Sequence, residues 1–155
     1  MTNELEVIEK QWSEQAEDWN RWIGDEGDAN RRESSDICLW KYIGNVDNQV
    51  ILDAGCGNGY LTIKLALETR AKRIFAVDLS SKLIEITKEN IARRVTEDTD
   101  RQRIEIHQDS VTELKTIADH SIDLIISNYV IMDTPDLDSV VKVSLSFIHF
   151  YIDKI

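Results

Sequence analysis

Residues 50–59 read V-I-L-D-A-G-C-G-N-G, an apolar run that ends in Asp53 and passes into glycines at 55, 57 and 59. Glycine lets a backbone turn sharply and approach a ligand with no Cβ in the way. A helix is expected from about residue 59, and its first turn would point unpaired N–H groups at whatever the loop holds. Alone, the loop is a weak signal. It fits a plain chain reversal, a phosphate cradle, or a seat for a ligand that carries no phosphate. A dinucleotide fingerprint, G-x-G-x-x-G, does not fit, because the third glycine comes one residue early and Tyr60 follows it. The Gly-Lys-Ser/Thr ending of a P-loop is absent.

On either side of this stretch the chain reads as two regions of one domain, as its 155 residues suggest. Up to residue 44 the pattern is helical: Trp12, Ala16, Trp19 and Ile23 form an apolar stripe, Gly24-Asp25-Glu26-Gly27-Asp28 breaks it, and a second periodic run spans residues 37–43. From residue 45 to 143 short apolar runs alternate with amphipathic segments. Strands are predicted at 50–52, 73–77, 104–107 and 122–127, and helices at 59–69, 80–95, 111–118 and 135–144. Ser80 is the expected N-cap of the second helix. Ser110-Val-Thr-Glu113 has the form of a capping box for the third. Thr134 and Pro135 are the expected cap and first residue of the fourth. This alternation predicts an α/β, Rossmann-like, doubly wound parallel sheet under an N-terminal helical cap. In such sheets ligands bind beyond the C-terminal strand ends, where strand order reverses.

Three carboxylates sit at those ends: Asp53, Asp78 in F-A-V-D-L-S, and Asp109 in H-Q-D-S. Taken singly, each is an ordinary turn or cap residue. Together, beside a glycine loop, they suit a cationic, phosphate-free nucleoside. A carboxylate at Asp78 can accept both hydroxyls of a ribose, with charge-assisted bonds of roughly 1.5–3 kcal/mol. The formal net charge of −11 argues against a nucleic-acid partner, since phosphate contacts need clustered Lys and Arg. Arg93, Arg94, Arg101 and Arg103 are interrupted by acids and read as a solvated helix end. No apolar run approaches a membrane span, and Met1–Lys10 is polar, so a cytoplasmic protein is expected. Two distant cysteines and three scattered histidines give no disulfide framework or metal-ligand spacing.

As an ordered set, these stretches resemble the motifs of class I S-adenosylmethionine-dependent methyltransferases. Residues 50–61 resemble the first motif, 73–80 the second, 107–110 the third and 123–133 (D-L-I-I-S-N-Y-V-I-M-D) the fourth. The leader W-S-E-Q-A-E-D-W-N with G-D-E-G-D resembles that of the type 11 branch, which acts largely on small molecules. The resemblance implies a cofactor loop of Asp53, Ala54, Gly55, Cys56, Gly57, Asn58 and Gly59 under the methionine part. Asp78 would take the ribose and Leu79 would pack on the adenine. Asp109 would meet the adenine amine, with the Ser110 backbone beside it. Asn128 and Tyr129 would lie near the sulfonium, and Trp19 would close the pocket. No general base is identifiable. The missing prolines of N-P-P-Y at Asn128-Tyr129 argue against the amino-methylating nucleic-acid enzymes.

After Val143 the chain departs from the family and runs S-L-S-F-I-H-F-Y-I-D-K-I. The expectation is therefore a sheet lacking most C-terminal strands of the usual seven, with residues 144–155 as an atypical tail. An unpaired sheet edge would then favour a homodimer. Three functions remain open on sequence. The first is an active small-molecule methyltransferase. The second is a catalytically weak or inactive relative that binds the cofactor and acts through oligomerisation or a partner. The third, more distant because of the glycine spacing, is an NAD-dependent oxidoreductase.

Overall fold

The computed structural model describes residues 4–118 and 121–147. The helical leader forms α1 (Glu4–Ile23), then a five-residue π-helical segment (Arg31–Ser35) that runs straight into α2 (Asp36–Ile43). The core follows as β1 (Val50–Ala54), α3 (Tyr60–Glu68), β2 (Arg73–Asp78), α4 (Ser81–Arg94), a one-turn α5 (Asp98–Arg101), β3 (Ile104–Gln108), β4 (Leu124–Ile126), a 3-10 turn (Ile131–Asp133) and α6 (Leu137–Phe147).

The four strands are parallel, in the order β3-β2-β1-β4. Strand order reverses between β1 and β4, so the switch point lies beyond Ala54 and Ile126. Alternation along β1 explains the two layers. Ile51 packs with Ile74, Ile126 and the apolar residues of α2 and α3, while Leu52 and Ala54 pack with Phe75, Val77, Leu114, Ile117 and Phe147 on the other face. Among the described residues no helix is long and apolar enough to cross a membrane.

Local sequence signals decide most of the boundaries. Ser80 caps α4 as expected, its Oγ accepting from the Leu83 amide at 3.1 Å. Several expectations fail. Residues 111–118 form successive turns and no helix. The Asp109 carboxylate takes the amides of both Ser110 and Thr116, and Leu114 adopts φ +46°, so side-chain capping displaces the helical ladder. The capping box does not form, because Glu113 pairs with Lys115 at 2.7 Å. At the last helix, Asp136 rather than Thr134 is the cap: it accepts the Ser139 amide at 3.0 Å, and α6 starts two residues past Pro135. The fourth strand is shorter than predicted, since Asp123 Oδ2 turns to accept the Val50 amide and Ile122 donates to the Phe147 carbonyl. Residues 144–147 belong to α6, and 148–155 lie outside the described residues.

Candidate functional site

A cavity of about 900 Å³, counting its open mouth and the solvent there, sits at the switch point. The switch point of a doubly wound sheet is where small-molecule and cofactor sites of such folds are found. Its floor is the turn between β1 and α3. Gly55, Gly57 and Gly59 all adopt left-handed backbone, with φ of +83°, +58° and +80°. At Gly55 a Cβ would overlap the Val130 methyl groups, and at Gly57 it would stand 3.2 Å from Trp19 Nε1. Glycine is therefore required both by dihedral angle and by the neighbour above it.

Most amides of the turn itself are paired inside the protein. Gly55 and Cys56 donate to the Val77 carbonyl at 2.7 and 2.9 Å, and Gly57 donates to Asp78 Oδ2 at 2.9 Å. Gly59 donates to the Cys56 carbonyl, and Tyr60 to Asn58 Oδ1. With the amides of Gly55, Cys56, Gly57, Gly59 and Tyr60 paired internally, few N–H groups of the loop are left for an anion such as a phosphate cradle would hold.

Carboxylates supply the polarity instead. Asp53 is 2% exposed and accepts the Thr62 hydroxyl at 2.6 Å. Burial pushes its pKa up to about 6, opposed by the Thr62 bonds and reinforced by the nearby charge of Asp78. Asp78, also buried, accepts the amides of Gly57 and Ser80, each at 2.9 Å. Burial raises its pKa, against the pull of those backbone bonds. Two bonds leave an ionised carboxylate with further acceptor capacity. The Cys56 thiol lines the cavity with its pKa raised by burial, which keeps it protonated and unreactive.

The roof comes from the leader. Leu5, Ile8, Trp12, Trp19 and Ile23 project from one stripe of α1, with Trp12 and Trp19 edge to face at 5.2 Å. Arg31, the first residue of the π-helical segment, is the only cation among the described lining residues. It is 6% exposed, bonds Asp28 Oδ2 at 3.1 Å, and lies over the rings of Trp19 at 5.3 Å and Tyr129 at 4.5 Å. Tyr129 is itself held at φ +61°, its hydroxyl accepting from Asn30 at 2.7 Å.

Of the residues read from the sequence, Trp19, Asp53, Gly55, Cys56, Gly57, Asn58, Asp78, Leu79, Ser110, Asn128 and Tyr129 line this one cavity. Ala54, Gly59 and Asp109 do not. Ala54 is packed in the core, and Gly59 abuts Thr87 of α4, where a Cβ would come within 2.9 Å of the Thr87 methyl. Both oxygens of Asp109 are committed to the 110–116 turn. Sequence reasoning missed Leu5, Ile8 and Arg31. The first two continue the Trp12 stripe at helical spacing and were legible in principle; Arg31 reaches the site only through long-range packing.

A family model described as a methyltransferase domain matches residues 45–150. The chain belongs to the methyltransferase domain family. A malonyl-[acyl-carrier protein] O-methyltransferase of Priestia megaterium is 42% identical over 78 residues, which are 50% of this chain and 25% of that one. The chain thus spans about a quarter of this curated relative. Among solved structures, phosphoethanolamine N-methyltransferase 1 of Haemonchus contortus, in complex with phosphoethanolamine and S-adenosylhomocysteine, superposes with a TM-score of 0.72 at 21% identity. The match covers 96% of this chain and 31% of that one. The geranyl diphosphate C-methyltransferase of Streptomyces coelicolor, bound to Mg²⁺, geranyl diphosphate and S-adenosyl-L-homocysteine, also gives 0.72, at 15% identity over 95% of this chain and 61% of that one. At these identities the two structures establish the fold this domain shares with them.

The geometry separates a structural role for Asp109 from a ligand role. Asp109→Ala should lower the unfolding free energy by about 1.5–3 kcal/mol in urea titration, since it strips bonds from one buried carboxylate. A variant of unchanged stability with lost ligand affinity would return Asp109 to the binding site.

Proposed function

We propose that this domain binds S-adenosylmethionine at the switch-point cavity and transfers its methyl group to a small-molecule acceptor. The observation that carries this reading is the pair of buried carboxylates, Asp53 and Asp78, beside a turn whose three glycine amides are paired within the protein. That pairing fits a cationic nucleoside and disfavours a pyrophosphate.

When bound, S-adenosylmethionine supplies the electrophilic methyl carbon of its sulfonium. The residues of this chain align and enclose it. In this reading Asp78 receives the ribose hydroxyls, Leu79 and Leu83 flank the adenine, and Trp19 covers the Gly57 peptide. Arg31 takes the carboxylate of the amino-acid end, because the Asp28 bond occupies only one of a guanidinium's five N–H donors. Alignment and exclusion of water contribute up to ~7–11 kcal/mol in favourable in-line displacements, without any nucleophile from the protein. A small acceptor is supported by the walled cavity and by the −11 charge, which opposes a nucleic-acid surface. The reading extends to a homodimer. β4 ends the described sheet, and Leu137, Val141 and Leu145 of α6 form a half-exposed apolar stripe beside it.

Transfer of labelled methyl from S-adenosylmethionine across a panel of metabolites tests the activity; binding of cofactor with no acceptor turned over would favour the catalytically weak alternative. Asp78→Ala should weaken S-adenosylhomocysteine binding in calorimetry by about 1.5–3 kcal/mol, and unchanged affinity would remove Asp78 from the site. The pH dependence has a defined sign. As pH rises through about 6, Asp53 ionises, and the preference for S-adenosylmethionine over its neutral thioether product should increase. Measured from pH 5 to 7.5, a flat ratio of the two affinities would show that the Asp53 charge does not act on the bound sulfonium. Sedimentation over a concentration series should reveal self-association; a monomer throughout would count against the dimer.

A further inference from the structure

α4 runs behind the glycine turn, and two polar side chains one turn apart on its buried face hold that turn in place. Thr87 Oγ1 donates to the Gly57 carbonyl at 2.7 Å, and Asn90 Nδ2 donates to the Asn58 carbonyl at 2.9 Å. Both residues are buried. Thr87 serves the turn, whereas Asn90 also reaches the leader. Its Nδ2 donates to Asn20 Oδ1 of α1 at 3.1 Å, an oxygen shared with Asn58 Nδ2 at the same distance. Asn58 Nδ2 in turn reaches the Gly24 carbonyl at 3.3 Å. On its other side, Asn90 Oδ1 accepts from Arg93 Nη2 at 3.0 Å, and Arg93 grips both carboxylate oxygens of Asp25 at 2.8 and 2.6 Å.

One carboxamide therefore links three things: the ligand-facing turn, the end of the cap helix, and the loop that follows it. We propose that Asn90 is a positioning residue that couples docking of residues 20–25 to the state of the Gly57–Asn58 turn, so that ligand binding and closure of the cap are one transition. The physical basis is the amide's fixed complement of two donors and an acceptor. Its demands are met together only when turn and cap are both in place, and a buried amide left unpaired is costly. The same coupling acts in reverse, since a ligand that settles the turn favours the docked cap by an equal factor. This inference rests on the S-adenosyl ligand proposed above.

Hydrogen exchange across residues 19–27, with and without saturating S-adenosylhomocysteine, tests it on the whole chain. In the unsubstituted protein the ligand should slow exchange of this segment. Asn90→Leu, which keeps the branching at Cγ and removes every hydrogen-bonding group, should bind about tenfold more weakly. At saturation its 19–27 segment should still exchange as fast as in the free protein. Thr87→Val removes a bond to the same turn but none to the cap, so it should lose affinity and keep the protection. If Asn90→Leu fails to fold, Asn20→Leu cuts the same link from the partly exposed cap side and should show the same uncoupling. Full protection of 19–27 at saturation in either Asn variant overturns the proposal, as does bound ligand with no protection in the unsubstituted protein. Absence of any S-adenosylhomocysteine binding there would instead overturn the cofactor reading itself.

Discussion

The bond from the Gly57 amide to Asp78 Oδ2 organises the site. It ties the turn after β1 to the end of the neighbouring parallel strand, and the Gly55 and Cys56 amides reinforce it on the Val77 carbonyl. Left-handed glycines make the turn tight enough for those bonds. The consequence is electrostatic. A turn of this kind elsewhere in α/β folds would aim its N–H groups outward at an anion. Here they point into the protein, and what faces the cavity is carboxylate. Burial raises the pKa of both Asp53 and Asp78, so a cation in the cavity recovers charge pairing that solvent does not provide there.

The cap closes this site by two unlike interactions. Its apolar stripe supplies most of the contact area: Ala16 and Ile23 are almost fully buried, and Trp12 and Trp19 interlock over the cavity. Non-directional burial alone would let α1 slide along α4. Register comes from polar pairs that follow both helices in order, with Glu9 on Ser81, Glu17 on Lys82, Asn20 on Asn90 and Asp25 on Arg93. The exposed ion pairs among them are screened by solvent and contribute little. The buried asparagine link is the one that specifies alignment, because its alternatives leave amide groups unpaired.

Much of this was legible in residue order. The strand–helix alternation after residue 45 follows from apolar periodicity, and Ser80 announced its own cap. The failures have local causes. A capping box at Ser110 lost to Asp109, whose carboxylate reached Thr116, seven residues ahead, and wound the segment into turns. Pro135 marked a helix start that Asp136 captured through Ser139. In both places a short acidic side chain found a backbone donor that pattern counting does not see.

By itself, the sequence determined the parallel sheet, the glycine turn after β1 and the presence of acids at successive strand ends, because periodicity and glycine placement act over a few residues. Tertiary structure decided which acids face the cavity. Asp53 and Asp78 line the cavity while Asp109 is consumed by its own turn, and the only lining cation among the described residues arrives from a π-helical segment of the leader. Those outcomes depend on where hydrogen-bond donors far apart in the chain come to rest, and packing alone brings them there.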